Sequence, residues 1–526
     1  MKKIEIYDTT LRDGAQGEGI SFSGVGKIRV AKILDELGVD YIEGGYAASN
    51  PKDMEFFHAI KKEGLKHARI AAFGSTRRAH ANVAEDANTR ALLDADTPVV
   101  TIFGKSWVFH VREVLRTTED ENRAMIADTV RFLKQNGREV IYDAEHFFDG
   151  YKDSPAHALA TLRAAKESGA DRLVLCDTNG GTPYFEIGDI TREVIKQFGA
   201  NIGIHTHNDS ELGVANSLEA IRVGAMHVQG TINGFGERCG NANLCSIIPN
   251  LGLKMGYQVL SAPEKMDQLK NVADCVYELA NQRPNDKAAF VGHSAFAHKA
   301  GMHVDGVNKN PHSFEHIRPE QVGNQRRVLI SELSGTSNVF LKAVEMGLEL
   351  DKKSPEVKEI LKQLEAMEKK GYEFEAAEAS FKLLIQKVLK AHKPFFSLDA
   401  FRVIVEKRHK DEPCISEATV KLNINGQIVH TVGEGDGPVD ALNDAMRKAL
   451  AAEYPSISEV QLVDYRVRIL DPEEATAAKT RVLIESSDGN QTWGTVGVSS
   501  NLIEASWEAL VDSVEYKLFL DESKKK

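Results

Sequence analysis

Long apolar runs are missing from this sequence, and with them any stretch able to cross a bilayer as a helix. The first residues, KKIEIYD, have no apolar signal-peptide core, so a cytoplasmic chain is expected. Cysteine is scarce: Cys176, Cys239, Cys245, Cys275 and Cys414 are odd in number and form no CxxC pair. That excludes a disulfide scaffold and fits reduced thiols. An excess of positive charge is also absent. The formal net charge of −12 argues against nucleic acid or an anionic membrane as the main partner, and the Lys524–Lys526 run reads as a solvated tail.

What is present is length and alternation. At 526 residues the chain is too long for one core, and two to four domains are expected. Eight short β-rich runs occupy the first half: Ile4–Asp8, Tyr41–Gly44, Arg69–Phe73, Val99–Phe103, Val140–Ala144, Arg172–Cys176, Ile202–His205 and His227–Thr231. Helical patterns lie between them, including Gly26–Leu37, Glu119–Gln135, Pro155–Ser168 and Leu212–Val223. Strand–helix alternation forces parallel pairing with right-handed crossovers. Eight similar units point to a closed (β/α)₈ barrel over residues 1–282, rather than a doubly wound open sheet.

Beyond Gly256 the alternation stops. Helical segments over Pro263–Asn281, Pro355–Lys370 and Glu378–Ala391 flank a polar stretch holding His293, His298, His303, His312 and His316. Residues 283–398 therefore read as helical linker or lid subdomains. From about Ala400 the runs Thr419–Ile424 and Gln427–Val432 flank the hairpin signal Asn425–Gly426, and a helix over Val439–Ala452 follows. Further strands over Val460–Leu470, Thr480–Glu485 and Thr492–Val498, with an Asp488–Gly489 turn, precede a helix over Leu502–Phe519. Two strands plus a helix thus occur roughly twice, an α+β duplication over 399–526 with no catalytic constellation. It reads as a regulatory module.

A barrel places its chemistry where strands end. Those ends carry Asp8 with Arg12 and Asp13, Glu43, Asp143 with Glu145, Asp177 with Thr178, His205 with His207, and Asn233. His205 and His207, two apart on an extended chain, project the same way, as two imidazoles chelating one divalent ion must. Asp13 offers a hard oxygen to complete a two-histidine, one-carboxylate site, and Arg12 offers planar donors to a developing oxyanion. The loop NGFGERCGNANL after the eighth strand spaces its glycines one place off a dinucleotide fingerprint. It reads as a ligand loop that brings Asn241 toward the metal, with Cys239 and Cys245 as buried thiols.

YDTTLRDGAQGEG, HTHND and GFGERCGNANL together resemble the signatures of the 2-isopropylmalate, homocitrate and citramalate synthase family. YDAEHFFDGY, CDTNGGT and NANLCSIIPNL are similar to its citramalate synthase-like branch. The resemblance implies a metal-bearing TIM barrel that condenses acetyl-CoA with a 2-oxo acid, and an allosteric C-terminal domain. It places Asp13, His205 and His207 on a Mg²⁺, Mn²⁺ or Zn²⁺ ion with Asn241 close by. Arg12, Asp13, Gln16, Glu145 and Thr178 would lie against the bound oxo acid, and Arg12, Glu145 and His303 would be the catalytic groups, with His303 helping to activate acetyl-CoA. Phe314 stands where the family often has tyrosine. Pyruvate is the expected acceptor, on a route to isoleucine, with 2-oxoisovalerate the alternative. Phe73, Phe103, Phe147 and Phe148 near strand ends suggest a small pocket. A metal-dependent lyase or biotin-linked carboxyltransferase on the same barrel is the competing class, but no biotin-bearing segment is evident. A homodimer with isoleucine as effector at the C-terminal domain is expected.

Overall fold

The structure, a computed structural model, describes residues 2–48, 51–329, 355–389 and 394–525. Eight parallel strands close a barrel in chain order: β1 (Glu5–Asp8), β2 (Tyr41–Tyr46), β3 (Arg69–Ser75), β4 (Val99–Lys105), β5 (Glu139–Glu145), β6 (Arg172–Asp177), β7 (Ile202–Thr206) and β8 (His227–Gly230). Closure comes from β8 pairing with β1, Glu5 beside His227 through Asp8 beside Gly230. All eight expected strands are found. The helix expected from Gly26 begins at Gly24, because Ser23 caps it by accepting from the Gly26 amide. It stops at Gly38, whose φ of 92° a residue with a Cβ would resist.

Strand parity sorts the interior from the shell. Tyr7, Tyr41, Ala71, Val99, Ile141 and Val174 fill the lumen as one layer with Cys176. Their neighbours Ile6, Ile42, Ala72, Val100, Tyr142 and Leu175 face outward and pack in the core under the surrounding helices. Two residues further along each strand the inward positions become Thr9, Glu43, Phe73, Thr101, Asp143, His205 and Gln229. The same rule corrects two expectations, and the turn after β8 a third. Asp8 and Asp177 have outward parity and stay away from the mouth. Asp8 accepts from the Thr10 amide and hydroxyl, and Asp177 from the Thr182 hydroxyl. Asn233 turns its amide to the Ala273 carbonyl instead.

The chain divides into two compact units, 1–296 with 316–326, and 297–315 with 327–526. In the second, two antiparallel three-stranded sheets each carry a helix. The first comprises Ser397–Glu406, Ile415–Ile424 and Gln427–Gly435 with Pro438–Leu450. The second comprises Gln461–Ile469, Thr480–Ser487 and Thr492–Ser499 with Leu502–Lys525. The duplicated unit is therefore three strands and a helix, not two strands and a helix. Ser397–Glu406 escaped notice because it is exposed along almost its whole length, so no face imposes an apolar alternation. Asn425 and Gly426 both have positive φ, as the predicted tight hairpin requires.

The second sheet is covered on both faces. Val482 and Ile484 pack with Ala505 and Leu510 of the closing helix. Val496 packs on the opposite side with Phe374, Phe381 and Ile385. The helices Pro355–Glu368 and Glu378–Val388 thus share a core with the C-terminal sheet; Ala391, the expected end of the latter, lies outside the described residues. The Arg481 guanidinium reinforces this by donating to the Gly371 carbonyl and pairing with Glu373.

Candidate active site

Asp13 sits in the loop after β1, and His205 and His207 at the end of β7. All three are buried, and their ligand atoms converge. His205 Nε2 lies 3.4 Å from Asp13 Oδ2 and 3.4 Å from His207 Nε2, and His207 Nε2 is 3.9 Å from Asp13 Oδ2. Donors about 2.1 Å from one shared ion stand roughly that far apart. A further observation fits an ion here. Asn241 pairs with His207 as an antiparallel β-bridge, and its buried Oδ1 has no hydrogen-bond partner. Buried polar atoms are rarely left so.

Electrostatics favour a cation at this point. Burial opposes ionisation of Asp13, yet Arg12 and the two imidazoles outweigh it and hold the carboxyl well below the usual carboxylate range. Burial, with His205 alongside, pushes His207 down to about 4. It is therefore a neutral imidazole with a lone pair near neutral pH. Burial is the largest influence on His205 and would lower it, but Asp13 beside it, together with Asp143, outweighs that and raises it.

Arg12 is fixed on three sides. Its Nε donates to Glu43 Oε2 at 2.5 Å, its Nη1 lies 3.4 Å from Asp13 Oδ1, and its guanidinium stacks 3.7 Å above the Phe73 ring. Glu43 is anchored by the hydroxyls of Tyr7, at 2.5 Å, and Thr9. Phe73 and Phe103 stack at 5.4 Å, and Tyr46 meets Phe73 edge-on. Phe147 and Phe148, also read as pocket aromatics, are instead wholly buried in the core outside the barrel.

Gln16 lines a cleft of about 260 Å³ that opens beside Arg12, with Lys27, Tyr46, Lys52 and Asp53 on its walls. Glu145, at the end of β5, forms an ion pair with Lys105 at the end of β4. Thr178 Oγ1 accepts from the His146 amide at 2.9 Å, which leaves its hydroxyl hydrogen available to a ligand. His303 belongs to the other compact unit, on the helix Gly301–Lys309, exposed and stacked on Phe314 with ring centres 4.3 Å apart. Cys239 is exposed, contrary to the expectation of a buried thiol, whereas Cys245 is buried. Lys105 and Gln229 were not anticipated. The legible signal for Gln229 was an amide at inward parity in an otherwise short, buried strand.

Comparison with known proteins gives the family. An HMGL-like family model matches residues 3–276, a homocitrate synthase post-HMGL domain-like model 290–372, and a LeuA allosteric (dimerisation) domain model 375–518. The chain is 55% identical to an (R)-citramalate synthase of Geobacter sulfurreducens and 54% identical to one of Aquifex aeolicus, covering 99% of both chains in each case. It is 30% identical to a 2-isopropylmalate synthase of Listeria innocua, over 98% of this chain and 97% of that one. Among the described residues no helix is long and apolar enough to cross a membrane.

Proposed function

Taking as its premise that the chain belongs to the (R)-citramalate synthase family, we propose how the barrel mouth carries out that family's reaction. The activity is a condensation of acetyl-CoA with pyruvate and water that yields (R)-citramalate and CoA. The observation that carries it is the buried Asp13–His205–His207 cluster with Arg12 clamped beside it. The acetyl methyl group loses a proton, its carbon bonds to the pyruvate carbonyl carbon, and the carbonyl electron pair moves onto oxygen. Water then cleaves the thioester, releasing CoA and a carboxylate.

Asp13, His205 and His207 would hold a divalent ion (Mg²⁺, Mn²⁺ or Zn²⁺), with the Asn241 oxygen beside them. Such an ion, when bound, supplies Lewis acidity to a chelated 2-oxo acid. Arg12 spends Nε on Glu43, and among the described residues its Nη2 has no partner, so it remains for the developing oxyanion. The Thr178 hydroxyl donates to the acceptor's carboxylate, with Gln16 and Glu145 lining the same mouth. We assign removal of the methyl proton to His303, in the linker or lid region 283–398 that follows the barrel (1–282) and precedes the regulatory domain (399–526) in the chain. Phe314, stacked on it, replaces a hydroxyl with an apolar face.

The LeuA dimerisation domain match supports an oligomer, and we read it as a homodimer with isoleucine as effector at that domain. Because the helices before residue 389 share their core with the C-terminal sheet, inhibition is better tested on the full chain than on a truncation. The deciding assay is CoA release with pyruvate, 2-oxoisovalerate and 2-oxoglutarate, with and without chelator. Pyruvate should give the highest kcat/KM, and chelation should abolish turnover. Preference for 2-oxoisovalerate would move the chain to the 2-isopropylmalate reaction.

A further inference from the structure

Gln229 is a fully buried amide inside the barrel lumen, where bulky apolar side chains ordinarily fill the layers. On β8 it pairs in register with His205 on β7, so the two side chains lie next to each other at inward parity. The His205 Nδ1 atom is 2.9 Å from Gln229 Oε1, and Gln229 Nε2 donates to Asp143 Oδ1 at 3.0 Å. Asp143, on β5, is itself buried, and two strands lie between β5 and β8 in the wall. The chain of bonds therefore crosses the lumen. The catalytic steps derived above use neither Gln229 nor Asp143.

The amide is oriented with its NH₂ end on Asp143, Gln229 Nε2 donating to Asp143 Oδ1. The amide oxygen then faces His205 and accepts. His205 Nδ1 carries the hydrogen, so in the neutral, metal-ligating imidazole the lone pair is on Nε2, the atom that lies 3.4 Å from both Asp13 and His207. His207 has no such partner, since its Nδ1 is buried and unbonded.

We propose that Gln229 and Asp143 are positioning residues that lock the tautomer and ring orientation of His205, making it the preorganised metal ligand of the pair. Outer hydrogen bonds of this kind hold a ligating imidazole and raise its basicity, and losing one typically costs 10–100-fold in metal affinity. The inference rests on the metal reading of the Asp13–His205–His207 cluster, and its test separates the two.

Mn²⁺ affinity is measured by calorimetry on the full-length protein as wild type, His205→Ala, Gln229→Leu, Gln229→Glu and Asp143→Leu, with thermal melting of each metal-free protein alongside. Gln229→Leu should weaken Mn²⁺ binding about 10–100-fold. Gln229→Glu, which keeps an acceptor for Nδ1, should bind at least as tightly as wild type. Asp143→Leu, which frees the amide to flip, should fall between wild type and Gln229→Leu. Loss of binding in His205→Ala with wild-type affinity in Gln229→Leu would overturn the relay while leaving the metal site standing. Wild-type binding in His205→Ala would overturn the metal reading itself. If Gln229→Leu and Gln229→Glu weaken binding equally, in step with a lowered melting temperature, the role is packing and the proposal fails.

Discussion

The carboxylate of Glu43, buried on β2, takes the Nε hydrogen of Arg12 at 2.5 Å while Arg12 also lies 3.4 Å from Asp13. One acid thus holds the cation in place and another neighbours it at the site. Burial works against the guanidinium's charge, but Asp13 and Glu43 more than offset it and push Arg12 above its ordinary value. Its charge is therefore permanent in the working range.

Removing the anchor should cost the reaction as much as misplacing an oxyanion donor. Glu43→Gln is expected to lower kcat by about 10²–10³-fold. Arg12→Lys should not preserve activity, because an ammonium cannot span Glu43 and substrate with a planar fork. Steady-state kinetics on folded variants checks both, and a kcat within twofold of wild type in Glu43→Gln would detach Glu43 from Arg12's function.

The proposed acceptor site puts the aromatic group beside the clamp in position to limit acceptor size. Phe73 and Phe103 stack at 5.4 Å, and Arg12 covers the Phe73 face. Trimming Phe103 to Ala opens room next to the acceptor. The ratio of kcat/KM for 2-oxoisovalerate over pyruvate should rise about 10–200-fold, the range that a methylene or two in an apolar pocket provides. An unchanged ratio would place the acceptor's side chain against another wall.

Asp8 gives the barrel a pH dependence of stability that is separate from catalysis. Burial raises its carboxyl to about 7, although the hydrogen bonds from Thr10 pull the other way. A folded-state value above the unfolded one means the native state binds the extra proton. Stability is then highest below the unfolded value near 3.8 and declines as pH rises through about 7. Urea unfolding of Asp8→Asn should lose up to about 1.4 kcal/mol less per pH unit than wild type between pH 5 and 7. Parallel pH profiles for the two proteins would show that Asp8 is already ionised when folded.

Period-two and helical patterns made the eight barrel strands and most of the helices legible, because burial on one or both faces disciplines the sequence there. The strand Ser397–Glu406 lacks that discipline and was missed. The motif around His205 and His207, with Asp13 after β1, pointed to the three residues whose ligand atoms the fold brings together. Which strand-end residues point inward was also encoded, in parity alone. Asp8 and Asp177 fail that test against Ile6 and Leu175, while Glu43, Asp143 and Gln229 pass it. What no local pattern carries is which inward residues bond to each other. Gln229 meets Asp143 only because the barrel closes, and the ion pair of Lys105 with Glu145 needs β4 and β5 in register.

The most direct measurement is anomalous diffraction at the manganese edge from crystals grown with Mn²⁺ and pyruvate. A single strong peak within about 2.0–2.3 Å of Asp13 Oδ2, His205 Nε2 and His207 Nε2, with pyruvate oxygens completing the shell, is the predicted result. A peak elsewhere with those three side chains bonded only to one another, or pyruvate bound away from them, would contradict the account.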